Sequence, residues 1–158
     1  EKNKRMNSDH IKEIFSLYSP TLYKISSLML GNKFDANDAV QETFLKYMLS
    51  NKRFGTNEYE KAWLIRVNIN ICKNMLRFHK LHPHINYEEL TEKYHSSEEN
   101  KVMDILMEMK SRDKEILILY YIEGYSCKEI KEILKISESA VKKRLERARK
   151  NYKKMYEE

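Results

Sequence analysis

Glycine and proline are nearly missing from this chain, with three Gly and two Pro in 158 residues. Few positions therefore interrupt a helix, and the Leu, Ile, Lys and Glu that dominate suit an all-α fold. Cysteine is just as scarce. Cys72 and Cys127 lie far apart and form no CxxC pair, so a secreted disulfide scaffold is not expected and the cytosol is. No apolar run approaches the ~20 residues that a membrane span needs. The longest, Ile116 to Ile122, is short and lies beside charges. No signal-peptide pattern opens the chain, and its first residue is Glu1 rather than Met, as in a trimmed or fragmentary sequence. A Gly-rich phosphate loop, a nucleophile elbow and a paired-carboxylate constellation are also missing. An enzyme reading has no residues to carry it, and no cofactor is expected.

What is present is charge. Charged residues make up 34% of the chain and the net charge is +6, against a typical charged fraction of roughly 25%. A basic balance favours a polyanionic partner, either nucleic acid or an anionic membrane surface.

Apolar spacing then divides the chain into helices. Ile11, Ile14, Phe15, Tyr18, Leu22, Ile25 and Met29 recur every three or four residues, as one helix face does. Pro20 is expected to break or kink that helix, and Gly31 to end it. Asp35 is expected to cap the next helix, with Ala39, Val40, Thr43, Phe44, Tyr47 and Met48 on its apolar face. Residues 51–57 read as a loop, and Glu58 as the start of a third helix. In that helix Ala62, Trp63, Ile65, Ile69, Cys72 and Leu76 alternate with Arg66, Lys73, Arg77 and several Asn. Trp63 reads as core. Beyond Leu81 the periodicity fades around Pro83 into an acidic stretch, which reads as a linker. Four short helices are expected after it.

The strongest local signal is Ser126–Arg149, SCKEIKEILKISESAVKKRLERAR. Ser126 and Glu129 have the spacing of a capping box. Lys135, Ile136 and Ser137 form a short turn, and Ser137 caps a second helix. Ile130, Leu134, Ile136, Val141 and Leu145 close one small core between the two helices. This is helix-turn-helix spacing. Glycine is usual where Lys135 stands, so Lys135 is expected to hold a strained backbone angle. The second helix presents Ser137, Ser139, Lys142 and Lys143 early and Arg144 and Arg147 later. Side chains near the start of such a helix reach base edges in the major groove, and later cations meet phosphates. His79, His82 and His84 lie together near Cys72, but HxxHxH matches no metal-site spacing, and no metal is expected.

From SRDKEILILYYIEGYS to AVKKRLERARK the C-terminal half resembles region 4 of the extracytoplasmic-function sigma factors of bacterial RNA polymerase. The N-terminal half resembles region 2 of that family, with DANDAVQETFLKY similar to its polymerase-binding helix and AWLIRVNINICKNMLR to its −10 helix. The resemblance implies two small helical domains joined by a flexible linker: region 2 over 8–82, the linker over 83–99 and region 4 over 100–156. It implies polymerase contacts at Asp38, Gln41, Glu42 and Phe44. It implies −10 contacts at Lys52, Arg53 and Asn57 of a base-capturing loop and at Arg66, Asn70, Lys73, Asn74 and Arg77. Contacts to the −35 element are implied at Ser137, Ser139, Lys142, Lys143, Arg144 and Arg147. The implied partners are core RNA polymerase, promoter DNA and an anti-sigma factor, often membrane-anchored; the chain itself is expected to be cytoplasmic. Two other readings use the same residues: a helix-turn-helix regulator whose front half senses a ligand or dimerises, and a sigma-like protein that binds polymerase without promoter DNA.

Overall fold

The computed structural model describes residues 7–50, 52–82 and 97–158, with only the backbone of 97–99. Among these residues all regular structure is helical. The first bundle holds α1 (Ser8–Leu30), α2 (Lys33–Ser50) and α3 (Asn57–Leu81); the second holds α4 (Ser97–Glu108), α5 (Ser111–Leu117), α6 (Cys127–Leu134) and α7 (Glu138–Glu157). α5 runs into a π-helical turn over Ile118–Ile122. Most of the expected linker lies outside the described residues, as does His84, and α4 begins at Ser97, inside the span expected to be linker, so that Glu98 and Glu99 of the acidic stretch belong to that helix.

α1 continues through Pro20 as one helix, so of the expected break or kink the break does not occur. Proline removes one ladder bond, but Pro20 and Ser16 are exposed, so the freed carbonyl of Ser16 is open to water. Gly31 ends α1 at φ 67, and its N–H donates to Ser27 O at 2.8 Å. The cap of α2 is Asn32 rather than Asp35. Its Oδ1 accepts from the N–H groups of Phe34 (2.8 Å) and Asp35 (3.1 Å), and Asp35 falls in the first turn instead. Thr56 caps α3 by accepting from Tyr59 N–H, which places Asn57 in the helix rather than the loop.

The first bundle buries Leu22, Ile25 and Met29 of α1 against Ala39, Phe44 and Tyr47 of α2 and Leu64, Ile65 and Ile69 of α3. Each large apolar side chain so buried contributes about 1.5–3 kcal/mol. Trp63 is in this core as expected. Phe15 is half-exposed but packs tilted against Phe44, with centroids 4.8 Å apart. One polar network crosses the same core. Ser26 Oγ donates to Asn68 Oδ1 (2.9 Å), Asn68 Nδ2 donates to Thr43 Oγ1 (3.2 Å), and Thr43 Oγ1 donates to Ala39 O (2.7 Å). The Cys72 thiol points at Ser26 Oγ, and burial pushes its pKa up to about 11.

In the second bundle α5 packs on α7 and α6 on α7. Ser126 and Glu129 form the full capping box, and Ser137 Oγ accepts from Ala140 N–H at 3.1 Å. Lys135 adopts φ 55 and ψ 46, the left-handed angle expected where glycine is usual. Ile130, Val141 and Leu145 are buried, joined by Ile133, while Leu134 and Ile136 are partly buried. α7 is 20 residues long, not short.

The two bundles are packed together. α6 lies on α3, and α4 and α5 approach α1. Lys114 Nζ donates to Met29 O at 2.6 Å, Lys24 Nζ lies 3.6 Å from Glu123, and Lys61 Nζ sits 5.1 Å from the centre of the Tyr125 ring.

Candidate polymerase and DNA surfaces

α2 sets out the first surface. Asp38, Gln41 and Glu42 are exposed, and Glu42 pairs only loosely with Lys46 at 3.8 Å. Phe44 is not on this surface: it is 4% exposed and wedged between Phe15 and Tyr47. The reason is rotational, since residues one position apart on a helix point about 100° apart. The apolar side chains that do face solvent are Phe34, Leu45, Met48 and Leu49. Phe34, Asp38, Gln41, Leu45 and Met48 follow three- and four-residue steps, so acids and apolar groups share one exposed stripe. Met48 therefore belongs to this stripe and not to the apolar inner face. A patch of exposed apolar groups marks an interaction surface, and this one was missed because the apolar positions on both faces of α2 read alike in sequence.

The loop after α2 is anchored by aromatic contacts. Phe54 stacks on Tyr47 (6.3 Å) and packs tilted against Trp63 (5.8 Å), and Lys52 Nζ sits 5.7 Å from the Trp63 ring centre. Tyr47 OH in turn donates to the buried Glu60 at 2.7 Å, and desolvation with that hydrogen bond raises the tyrosine pKa. Lys52 and Arg53 are thus exposed at the mouth of a rigid aromatic cluster.

On α3, Arg66, Asn70, Lys73 and Arg77 follow the same three- and four-residue steps, with Asn74 beside them. Asn70, Asn74 and Arg77 are exposed and Arg66 is half-buried. Lys73 is already engaged, its Nζ lying 2.7 Å from Glu115 Oε2 in the second bundle. His79 pairs with Asp35 across α2 and α3 at 3.3 Å, and His82 stacks on Phe78. Among the described residues no group of His, Cys, Asp and Glu has metal-binding geometry.

On α7, Ser139, Lys142 and Lys143 are exposed at the start of the helix. Lys142 has one partner, Glu138 a turn away at 3.6 Å. The Ser137 hydroxyl is committed to capping. Arg147 is exposed, with Asp113 at 3.8 Å. Arg144 differs from its neighbours. Its Nη2 donates to Glu115 Oε1 and to Arg112 O, and its side chain is 11% exposed. Arg149 lies over both Tyr120 and Tyr121, 5.4 and 5.5 Å from their ring centres, and the Tyr121 hydroxyl raises its pKa.

Known proteins resemble this chain over both bundles. The family described as sigma-70 region 2 matches residues 14–81, and that described as sigma-70 region 4 matches residues 99–151. The ECF RNA polymerase sigma factors SigW and SigM of Bacillus subtilis are each 26% identical to this chain. The first alignment covers 96% of this chain and 91% of SigW, the second 92% and 94% of SigM. The fold is that of CnrH, solved in complex with the cytosolic domain of CnrY, at TM-score 0.74 and 22% identity over 96% of this chain and 90% of that one. It is also that of the sigma factor RpoE, solved with the anti-sigma factor NepR from Bartonella quintana, at TM-score 0.70 and 20% identity over 92% of this chain and 96% of that one. With region 2 and region 4 matched in order over helices that carry these surfaces, the chain belongs to the extracytoplasmic-function sigma factors.

Proposed function

We propose that this sigma factor works through three surfaces, and that its action is binding rather than covalent chemistry. The α2 stripe of Asp38, Gln41 and Glu42, with Leu45, Met48 and Leu49, grips core RNA polymerase. Acids that ring an apolar centre suit a partner helix bearing cations. Lys52 and Arg53 of the anchored loop, with Asn57, Arg66, Asn70, Lys73, Asn74 and Arg77 of α3, hold the opened −10 element. Unstacked bases need an aromatic-backed pocket, and phosphates need cations. Ser139, Lys142 and Lys143 at the start of α7 read the −35 element in the major groove, with Arg147 toward phosphate. Residues 8–82 and 100–156 serve as the two binding domains and the chain between them as the tether, so the second contact depends on effective concentration.

The observation that carries this reading is the helix-turn-helix elbow of α6 and α7. Its caps and its left-handed Lys135 turn leave the start of α7 exposed and cationic. The proposed site of action is the cytoplasm; among the described residues no helix is long and apolar enough to cross a membrane. An anti-sigma factor is the proposed regulator, since structurally similar proteins were solved with CnrY and with the anti-sigma factor NepR.

The test is run-off transcription from a genomic promoter library with purified chain and core polymerase. Initiation at specific promoters that needs both components is the expected result. Duplex binding without polymerase dependence would favour a conventional regulator. Core binding with no transcript from any promoter would favour a sigma-like protein that does not read DNA.

A further inference from the structure

Glu60 stands in the first turn of α3 and is 6% exposed, among aromatic neighbours. A carboxylate is rarely kept out of water unless its hydrogen bonds are met inside. Glu60 Oε2 accepts from Tyr47 OH at 2.7 Å, and Nε2 of the half-exposed His10 lies 3.9 Å away. A hydrogen bond to a charged acceptor is short and about twice as strong as a neutral one. It therefore fixes the bearing of the Tyr47 ring, which is 1% exposed.

Tyr47 is tied to the loop 52–56 in two ways. Its ring is stacked with that of Phe54, the planes 11° apart and the centres 6.3 Å apart. Its carbonyl accepts from Ser50 Oγ at 2.8 Å, and Ser50 Oγ accepts in turn from Lys52 N–H at 3.3 Å. Trp63 of α3 is tilted against both rings, 6.1 Å from Tyr47 and 5.8 Å from Phe54. The loop thus stands on α2 and α3 at once, and the Glu60 bond locks the α2 ring to the α3 helix. Ordering a segment at the moment of binding subtracts from affinity. A loop held by packed and hydrogen-bonded neighbours avoids that loss.

We propose that Glu60 is a positioning residue for base capture: through Tyr47 it holds Phe54, and with it Lys52 and Arg53, in the geometry that receives an unpaired base of the −10 element. This rests on the promoter-binding reading of the loop and α3. Glu60 itself touches no DNA, and its effect passes through the Tyr47 ring. An apolar residue at position 60 would fill the same space and give the phenol no direction.

Two variants of the full-length chain test it. Tyr47→Phe combined with Glu60→Met replaces both ends of the bond by apolar groups of similar shape, a change that can be close to neutral for stability. Glu60→Gln leaves a neutral hydrogen bond in place of the charged one. Thermal unfolding gives the stability of each. Trp63 is the only tryptophan in the chain, so its fluorescence reports the packing of Phe54 and Lys52 against it without DNA. Fluorescence anisotropy gives the affinity of each variant, bound to core polymerase, for a single-stranded oligonucleotide carrying the −10 element of a promoter that the wild type transcribes, and for the −35 duplex of the same promoter.

The double variant is expected to unfold near the wild-type midpoint, to shift the Trp63 emission, and to bind the single strand about tenfold more weakly, as the ordering of one or two side chains would cost. Its affinities for core polymerase and for the −35 duplex should not change. Glu60→Gln should lose about threefold on the single strand, with a smaller shift in emission. Wild-type emission in the folded double variant overturns the lock, and shifted emission with unchanged single-strand affinity overturns the role in base capture. Loss of −35 and core binding in step with the single strand would mean general destabilisation and also overturns it. If the double variant does not fold, Glu60→Gln decides, and wild-type emission with wild-type affinity there overturns the proposal. A wild type that binds the −10 single strand no better than a scrambled one defeats the promoter-binding reading itself, whereas the emission result, read without DNA, tests the lock alone.

Discussion

The ammonium of Lys114 donates to the carbonyl oxygen of Met29, 2.6 Å away and 85 positions earlier in the chain. Lys114 is 2% exposed, and the contact joins α5 of the second bundle to the end of α1 in the first. The carbonyl end of a helix favours a cation, but burial dominates and lowers the lysine pKa to about 8, with Cys72 opposing weakly.

Docking of the two bundles is therefore expected to strengthen as pH rises from about 8 toward the ordinary lysine value of 10.5. The closed form binds the Lys114 proton less tightly than the open form, so deprotonation favours closure; below about 8 the penalty is full and constant. Cys72 stays protonated through this window at about 11, and the pKa values of Tyr18 and Lys61 are raised. The check is scattering or denaturant titration at pH 7.5 and 9.5 on wild type and Lys114→Met. The wild type should gain on the order of 1–2 kcal/mol over this range, and the variant should show no such slope.

Lys142→Ala should weaken −35-dependent initiation and leave core polymerase affinity and folding intact. The side chain is 66% exposed, and its only ion-pair partner is a neighbour on the same helix, a pair worth about 0.3–0.5 kcal/mol. A lost base contact costs about 1–3 kcal/mol of discrimination. Abortive initiation on promoters mutated base by base reads it out. Lost polymerase affinity would contradict the assignment of α7.

Arg144→Ala should behave differently, by destabilising the second bundle. It leaves a buried carboxylate with Lys73 as its remaining ion-pair partner, and removing one member of a buried pair costs about 3–5 kcal/mol. Thermal unfolding should show the loss before any promoter assay does. An unfolding midpoint equal to that of Lys142→Ala would mean Arg144 is a surface group.

Leu49→Asp and Phe44→Ala should separate docking from folding on α2. Leu49 is 72% exposed and Phe44 is 4% exposed. Leu49→Asp is expected to abolish pull-down by core polymerase with stability nearly unchanged. Phe44→Ala should cost about 3–5 kcal/mol of stability. Full polymerase binding by Leu49→Asp would move the docking surface off this stripe.

Lys135→Gly should stabilise the second bundle by on the order of 1 kcal/mol, since the left-handed angle at φ 55 costs a non-glycine residue about that much. A lower unfolding midpoint would mean that the lysine side chain contributes more than its backbone costs.

The parts of the fold legible in sequence are those fixed within one turn of chain. Ser126 with Glu129 and Ser137 with Ala140 are local capping events, so the elbow could be drawn from residue types alone. Trp63 and the helical series around Ile25 and Ile69 followed from periodicity. Pro20 does not break α1, because its cost depends on whether the freed carbonyl reaches water, which only the placement of α1 decides. Asp35 misled because Asn32, three residues earlier, caps equally well. On α2 the apolar spacing sets Phe44 inward, as its burial bears out, and only the family resemblance set it among the polymerase contacts. Nothing local marks Lys73, Lys114, Glu115 and Arg144 as buried or paired, because their partners lie on other helices, with 85 positions separating Lys114 from Met29.

The Ser26–Asn68–Thr43 network has a consequence for aim rather than for strength. An oily core accepts a helix at several angles about its axis, because leucine against leucine has no preferred bearing. An amide that must meet one hydroxyl with each of its two ends accepts a single bearing. Asn68 thereby keys α3 like a toothed shaft, and the row from Arg66 to Arg77 inherits its direction from a side chain that never touches solvent.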